Sequence, residues 1–197
     1  DGSYLDYDRL IIATGSRLHA PLEGYELPGV YNFKSLEAAR LLVESVKAGD
    51  TNSALIVGAG FIGVEVAVLL NELGCNVTII DKLWLMPSIL DEETAELVLD
   101  DLRNRGIVVH QYTEALRFSG NARVKGVELE NGETLVADAY IAATGIKPNV
   151  AFLEGSGLDI GWGIRVDNCM RTNLPNIWAA GDVAETFDLM SGERYVH

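Results

Sequence analysis

The sequence is poor in cysteine and in positive charge. Only two cysteines occur, Cys75 and Cys169, and neither has a cysteine or histidine neighbour at metal-ligand spacing. We therefore expect no metal site, two buried or unreactive thiols, and a reducing compartment such as the cytoplasm. The chain has 15 Lys and Arg against 29 Asp and Glu, a net charge of −14. Such a surface repels a phosphate backbone, so nucleic-acid binding is not expected.

Long hydrophobic runs are also absent. No stretch reaches the roughly 18 apolar residues of a membrane-spanning helix, so no membrane association is expected. The first five residues, 1–5, lack the basic region and apolar stretch that are typical of a signal peptide. Apolar residues make up 48% of the chain and charged residues 22%, which indicates a globular protein with a sizeable core.

Short apolar runs alternate with amphipathic stretches, which predicts α/β architecture. Strands are predicted at 7–14, 53–57, 76–80, 107–112 and 138–144. The first and the last of these strands are expected to be buried. Between 116 and 137 the pattern changes to alternation around an Asn-Gly turn at 131–132, which predicts a β-hairpin.

Three helices are predicted from apolar periodicity and from capping residues. The predicted helices run from Ser35 to about Lys47, from Phe61 to Leu73 and from Asp91 to Arg105. The glycines predicted to end them are Gly49, Gly74 and Gly106, respectively. The apolar face of the first helix consists of Leu36, Ala39, Leu42, Val43 and Val46. These elements together predict a Rossmann-like three-layer domain with a hairpin or meander insertion.

The hexapeptide Gly-Ala-Gly-Phe-Ile-Gly matches the pattern G-x-G-x-x-G. It stands between a predicted strand and a predicted helix, the context in which this pattern indicates dinucleotide binding. Its first glycine makes the tight turn, the second lets a pyrophosphate approach the backbone, and the third lets helix and strand pack closely. The helix N-terminus adds N–H donors and partial positive charge. The candidate phosphate-binding residues are therefore Gly58, Ala59, Gly60, Phe61, Ile62 and Gly63.

The next predicted strand ends in Asp81, at the spacing where such folds carry the acid that binds the adenosine ribose. A carboxylate there accepts hydrogen bonds from a 2′-hydroxyl and repels a 2′-phosphate, so NADH is expected to be preferred over NADPH. Lys82 follows directly and can soften this discrimination. The alternative for the whole motif is a tight strand–helix turn that binds no ligand.

Residues 172–182, Thr-Asn-Leu-Pro-Asn-Ile-Trp-Ala-Ala-Gly-Asp, form the most specific segment in the chain. They resemble the T-x-x-P-x-I-aromatic-A-A-G-D segment of the pyridine nucleotide–disulfide oxidoreductase-like flavoproteins. In that family the aspartate contacts the ribitol of FAD, and the small residues let the backbone approach the cofactor. The resemblance therefore implies that Gly181 and Asp182 contact FAD. Without the family, these residues are only a strand end with a cap.

The resemblance extends over the whole chain and implies further cofactor contacts. Thr14-Gly15 and Thr144-Gly145 match the two Ala-Thr-Gly turns at the family's domain crossovers. Glu65 matches the family's G-x-G-x-x-G-x-E, where the glutamate lies near the nicotinamide and pairs with a lysine of the flavin half. Stabilisation of the helix N-terminus is the alternative role of Glu65.

Phe61 occupies the position of an aromatic residue that, in relatives, covers the nicotinamide pocket until NADH displaces it. Packing into the core is the alternative role of this side chain. With Glu65, Phe61 is the residue that the resemblance implies beside the reacting ring.

The family's split order implies that residues 1–29 and 148–197 are pieces of an FAD-binding domain, with the NAD(H)-binding domain at 30–147. We expect the chain to be a fragment, because its first Ala-Thr-Gly strand follows almost nothing whereas the second follows a complete unit. By the family's order, the first FAD fingerprint and the dimerisation domain are expected to lie outside these residues. The fragment alone is expected to be inactive, and the full-length protein to be a homodimer.

The resemblance implies an FAD-dependent oxidoreductase that passes hydride from NADH to FAD and on to a disulfide, oxygen or an electron-carrier protein. The most similar branch contains NADH oxidases, CoA-disulfide reductases, rubredoxin reductases and the reductase module of nitrite reductases. One alternative is a flavin-independent NAD dehydrogenase, although His19, His110 and His197 show no spacing that suggests an acid–base group. The other is a non-catalytic nucleotide-sensing or interaction module, which the acidic surface also fits.

Overall fold

The computed structural model of the chain describes residues 2–33, 36–188 and 191–195. By their internal contacts the residues form two units. The central unit is continuous and comprises 18–145, whereas the flanking unit combines 1–17 with 146–197. Within the described ranges, no helix is long and apolar enough to cross a membrane.

The regular elements are short strands and three longer helices. In chain order the strands are β1 Leu10–Ile12, β2 Ser16–Leu18, β3 Val30–Tyr31, β4 Ser53–Val57, β5 Asn76–Ile80, β6 Val108–His110, β7 Ala115–Gly120, β8 Val124–Leu129, β9 Thr134–Leu135, β10 Ala139–Ala142, β11 Ile146–Pro148, β12 Ile164–Arg165, β13 Ile177–Ala179, β14 Ala184–Phe187 and β15 Arg194–Tyr195. The helices are α1 Leu36–Ala48, α2 Phe61–Glu72 and α3 Glu92–Asn104, and a 3₁₀ turn spans Ala151–Leu153.

The central unit is built on a five-stranded parallel sheet in the order β3-β10-β4-β5-β6. The surroundings of strand β4 explain why its residues 54–57 are all apolar. Ala54 and Ile56 face one hydrophobic cluster, while Leu55 and Val57 face another on the opposite side of the sheet. A strand covered on both faces needs apolar residues at successive positions.

Different layers cover the two faces of this sheet. The helices α1, α2 and α3 contribute Leu42, Leu70 and Leu99 to the cluster on one face. The antiparallel sheet β7-β8-β9 contributes Phe118 and Val127 to the cluster on the other. The predicted Rossmann-like three-layer domain with a hairpin insertion is therefore confirmed.

Helix ends follow the predicted capping chemistry. The Asp91 carboxylate accepts a 2.7 Å hydrogen bond from the Thr94 N–H at the start of α3. Gly74 and Gly106, which follow α2 and α3, adopt φ of 87° and 81°, left-handed values that favour glycine at a helix stop. The predicted cap Ser35 lies outside the described residues.

The flanking unit has its own small core. Strand β1 pairs in parallel with β13, and β12, β14 and β15 form a second small sheet. Buried Ile12, Ile164, Val166, Ala179 and Val183 pack together between these strands. The carboxyl ends of β1 and β13 are adjacent, because Ile12 is in register with Ala179.

Some predicted boundaries and burials were wrong. The buried strand expected over 7–14 is reduced to β1, in which Ile11 is 68% exposed, because β1 has β13 as its neighbour on one side rather than the cover of a central strand. The strand expected over 107–112 is likewise limited to β6. On α1, Leu36 is 86% exposed, and Leu42 and Val46 are the buried residues.

Residues 18–29, which the resemblance assigned to a piece of the FAD-binding domain, group by their contacts with the central unit. The reason is packing, because Ala20 and Leu27 belong to the cluster between the central sheet and the antiparallel sheet β7-β8-β9. The Phe118 N–H also donates a 2.8 Å hydrogen bond to the Glu23 carbonyl. The assignment of 1–29 and 148–197 to an FAD-binding domain and of 30–147 to an NAD(H)-binding domain stays a prediction.

Candidate nucleotide-binding site

The glycine motif forms the turn between β4 and α2, and its three glycines stand in different surroundings. Gly58 has φ of 108°, and a Cβ there would lie 2.7 Å from the Ala143 carbonyl carbon. A Cβ at Gly63 would overlap the Gly58 carbonyl oxygen and lie 3.1 Å from its carbon. At Gly60, by contrast, a Cβ would meet no atom within 4 Å. Packing thus requires two of the glycines, while the middle one borders open space.

Helix α2 begins at this open space. Its N-cap, Gly60, has extended backbone and offers no side-chain cap, and no acidic residue occupies the first turn. The first N–H groups of a helix have no intrahelical acceptor and carry partial positive charge. The turn therefore presents uncapped donors at a surface where a phosphate can approach.

Asp81 is held beside the turn by two backbone donors. Its Oδ2 accepts a 2.6 Å hydrogen bond from the Ala59 N–H, and its Oδ1 accepts one of 2.9 Å from the Leu83 N–H. An ionised carboxylate has about four lone-pair positions, so acceptor capacity remains for hydroxyl groups of a ligand. The carboxylate is half-buried and fixed in orientation.

A cleft of about 410 Å³ runs along the carboxyl ends of the parallel strands. Among the residues predicted from the sequence, it brings together Gly58, Gly60, Asp81, Lys82, Thr144 and Gly145. The Thr144 hydroxyl donates a 2.9 Å hydrogen bond to the His19 carbonyl, which fixes the wall after β10. The carboxyl edge of a parallel sheet is the usual ligand position in such folds.

Several other predicted residues surround the cleft without lining it. Ala59 is fully buried behind the turn, and Gly63 lies in the helix–strand contact. Phe61 and Ile62 are 59% and 48% exposed, and Glu65 is exposed on the same helix. The alternative that Phe61 packs into the core is therefore wrong, whereas the roles of Phe61 and Glu65 toward a nicotinamide stay predictions.

The predicted flavin contacts lie in the flanking unit. Thr14 and Gly181 follow the carboxyl ends of the paired strands β1 and β13. The Asp182 carboxylate accepts a 2.6 Å hydrogen bond from the Ser16 hydroxyl. Gly15 and Gly181 have φ of 65° and 74°, and a Cβ at either position would meet no atom within 4 Å.

Sequence reasoning missed other walls of the cleft. They are Pro21, Leu22, Val57, Ile80, Pro87, Ser88, Thr113, Glu114, Ala115 and Ala143. A signal existed for Thr113 to Ala115, which follow β6, because the carboxyl ends of neighbouring parallel strands meet at one edge. Nothing in the sequence indicates that Pro21 and Leu22 return to this edge.

The histidines and cysteines do not form a reactive cluster. In the part of the chain that the structure describes, no three His, Cys, Asp or Glu side chains are placed to hold a metal ion. His110 ends β6 and is exposed, and His197 lies outside the described residues. Cys75 is buried and Cys169 is exposed, and both are free thiols, so the expected burial of the thiols is correct for Cys75 alone.

The parallel sheet, the glycine turn at the start of α2 and the acid after the next strand define a Rossmann-like nucleotide-binding fold. The model of the family described as pyridine nucleotide-disulphide oxidoreductase matches residues 1–194. The chain therefore belongs to this family, as the resemblance in the sequence predicted.

Named proteins are similar to the chain over most of its length. The chain is 34% identical over 183 residues to an assimilatory nitrate reductase electron transfer subunit of Bacillus subtilis, covering 92% of the chain and 24% of that protein. It is 33% identical over 193 residues to an NADH oxidase of Methanocaldococcus jannaschii, covering 96% and 43%. The solved structure of an NAD-dependent persulfide reductase from A. fulgidus superimposes with a TM-score of 0.92 at 38% identity, covering 98% and 36%. The chain thus spans less than half the length of these relatives.

Proposed function

We propose that the central unit binds NADH in the cleft and that the protein is an FAD-dependent oxidoreductase. In the proposed reaction, hydride passes from NADH to FAD and on to a disulfide, oxygen or an electron-carrier protein. The observation that carries the proposal is the open space at Gly60, at the N-terminus of α2, with the Asp81 carboxylate fixed alongside. The activities named for the NADH oxidase and the persulfide reductase also support it.

The cleft suggests how the nucleotide is oriented. The pyrophosphate fits against Gly60, where the uncapped N–H groups of α2 supply donors and positive charge. The adenosine ribose then reaches the Asp81 carboxylate, which accepts its hydroxyl hydrogens. The nicotinamide half extends toward Thr144 and Gly145 at the other lining strand end. In this proposal Phe61 covers the nicotinamide, and Glu65 is its polar partner.

The preference for NADH rests on charge. Asp81 cannot turn away from a 2′-phosphate without breaking its bonds to the Ala59 and Leu83 N–H groups. Two negative charges at close range in a partly buried cleft repel each other strongly. Lys82 lines the same cleft and offsets part of this repulsion. We therefore propose NADH as the preferred nucleotide, with NADPH binding more weakly.

The residues of the flanking unit fit FAD. The space beside Gly181 is free of protein atoms within 4 Å of a Cβ position, so a cofactor can approach the backbone there. The Asp182 carboxylate, oriented by Ser16, can accept hydrogen bonds from the ribitol hydroxyls. When bound, FAD supplies the two-electron chemistry, and the protein's part is binding and orientation. The proposal also includes a homodimer, which rests on the family resemblance. It includes a cytoplasmic location, because free thiols suit a reducing compartment.

Calorimetric titration with NADH, NADPH and nicotinamide mononucleotide tests the nucleotide part. We expect one NADH per chain, weaker binding of NADPH, and the weakest binding of the mononucleotide, which lacks the ribose that Asp81 contacts. In Asp81→Ser the ratio of NADPH to NADH dissociation constants should fall by at least about tenfold, since the repulsion of the 2′-phosphate is removed.

Glu154→Gln is the matched control. It removes one negative charge from an exposed position in the flanking unit, so the ratio should stay unchanged. Absence of NADH binding to the wild-type chain would contradict the proposal. Equal ratios in the wild type and Asp81→Ser would refute the assignment of Asp81.

A further inference from the structure

Residues 82–90 form one wall of the cleft without regular structure. This segment connects β5 to α3 and contributes Lys82, Pro87 and Ser88 to the cleft lining. Since no helix or strand ladder spans it, its path depends on the packing of Trp84, Leu85, Met86 and Leu90 against the core of the central unit and on individual hydrogen bonds. Those bonds contribute to the positioning of the wall because they fix its backbone.

The segment is tied directly to the glycine turn. Ala59, the second residue of the motif, is fully buried. Its N–H donates to Asp81 Oδ2 at 2.6 Å, and its carbonyl accepts a 2.8 Å hydrogen bond from the Met86 N–H. The turn is therefore held on one side by the carboxylate and on the other by the segment 82–90. A displacement of Met86 would release one of these two attachments.

Met86 is held in an unfavourable conformation. Its φ of 54° lies in the left-handed region, and it precedes Pro87, where extended backbone is favoured. Such strain persists only when the surroundings enforce it. Without a tether next to it, the segment is expected to relax to a different path.

Gln111 provides the tether at Leu85, alongside the 3.3 Å hydrogen bond that the Tyr112 N–H donates to the Leu83 carbonyl. Gln111 follows β6, and its Oε1 accepts a 2.9 Å hydrogen bond from the N–H of Leu85, the residue before Met86. Its Nε2 donates to Glu96 Oε1 at 3.3 Å, which fixes the orientation of the amide. Leu85 is fully buried. Gln111 does not line the cleft, so any influence on a ligand must pass through the segment.

We infer that Gln111 is a positioning residue for the nucleotide site, holding residues 82–90 so that the glycine turn and Asp81 are ready to bind. The inference rests on the proposed binding of NADH in this cleft. A site that is correctly formed only part of the time binds its ligand more weakly by that fraction. If loss of the tether leaves about a tenth of the molecules correctly arranged, apparent NADH affinity falls about tenfold.

Three variants separate the tether from general packing. Gln111→Met keeps the length of the side chain but removes both hydrogen bonds. The double variant Gln111→Glu with Glu96→Gln restores both bonds with the donor and acceptor of the pair exchanged. Glu96→Gln alone keeps an acceptor for the Gln111 amide and is the matched control. NADH and NADPH dissociation constants are measured by calorimetry, together with the thermal midpoint of each variant.

We expect Gln111→Met to bind NADH about tenfold more weakly and to discriminate less between NADH and NADPH, because Leu83 then holds the Asp81 carboxylate less firmly. The double variant and the control should lie within about twofold of the wild type. An unchanged NADH affinity in Gln111→Met overturns the inference. Equal weakening of both nucleotides without rescue by the double variant indicates a merely structural role and also overturns it.

Two further outcomes are informative. Should Gln111→Met not fold, amide hydrogen exchange of the wild type decides: the Leu85 amide, which donates to Gln111, must already be protected without NADH, and rapid exchange of that amide contradicts the tether. Failure of the wild type to bind NADH refutes the proposed function and this inference together. Wild-type binding with no effect in Gln111→Met refutes the inference alone.

Discussion

Replacing Gly60 by alanine tests whether the open space at the glycine turn receives the pyrophosphate. The backbone of Gly60, with φ of −73° and ψ of −177°, is one that alanine adopts readily, and the added Cβ would meet no atom within 4 Å. Alanine is less favourable than glycine at an N-cap, which lowers the stability of the variant. This loss is offset by about 0.4–1 kcal/mol, because alanine leaves the unfolded chain less conformational freedom than glycine does. The free energy of unfolding should therefore change by no more than about 0.5 kcal/mol.

Nucleotide binding should change much more. The methyl group would occupy the path by which the pyrophosphate reaches the N–H donors of α2. Hydrogen bonds to a charged group contribute about 1.5–3 kcal/mol, so the loss of close approach should weaken NADH binding roughly 10- to 150-fold. The variant is thus expected to be as stable as the wild type but deficient in binding.

Gly63→Ala provides the matched comparison. Its Cβ would overlap the Gly58 carbonyl oxygen, and overpacking costs about 1–3 kcal/mol or more. Because the overlapped atom belongs to the backbone and cannot rotate away, the cost should lie in the upper part of this range, about 2–3 kcal/mol. Alanine gains about 1 kcal/mol of helix propensity over glycine, so we expect a net destabilisation of about 1–2 kcal/mol. Urea unfolding and calorimetric NADH titration of both variants provide the assay. Wild-type NADH affinity in Gly60→Ala, or wild-type stability in Gly63→Ala, would refute the reasoning.

Two further predictions concern titration and thiol reactivity. Hydrogen bonds from the Asn52 N–H and neighbouring donors lower the pKa of Asp138, so its stabilising contribution should be complete above the unfolded value of 3.8 and be lost as pH falls through the lower folded value. Urea unfolding from about pH 6 to about pH 3 should show this loss in the wild type and a smaller one in Asp138→Asn, and equal pH dependence would contradict it. Burial raises the pKa of the Cys75 thiol, so a thiol reagent should modify exposed Cys169 in the native protein and Cys75 only on unfolding. Rapid native modification of both thiols would contradict the burial.

The central unit was predictable because its signals are local. The apolar residues of 53–57 and 76–80 and the glycines after α2 and α3 each determine a strand or a helix end within a few residues. Asp81 could be chosen from its position after a strand because every parallel strand delivers its last residue to the same edge. The flanking strand β1 was predicted too long since apolar residues also occur at positions that the fold leaves exposed, such as Ile11.

The finer structure of the site was beyond sequence reasoning because it depends on contacts between distant segments. Pro21 and Leu22 return to the cleft because Ala20 and Leu22 pack in the cluster between the central sheet and the antiparallel sheet β7-β8-β9. The attachment of Ala59 to Met86 requires a left-handed residue before a proline, which no local preference favours. The bond from Leu85 to Gln111 joins residues that share no motif.

The most direct test of NADH binding in this cleft is an NMR titration of the isotopically labelled chain with NADH, following each backbone amide. The account predicts shifts concentrated at Gly60 and the first turn of α2, at Asp81 to Ser88, and at Thr144 and Gly145. Shifts confined to other surfaces, or no shifts at an NADH concentration far above that of the chain, would contradict it.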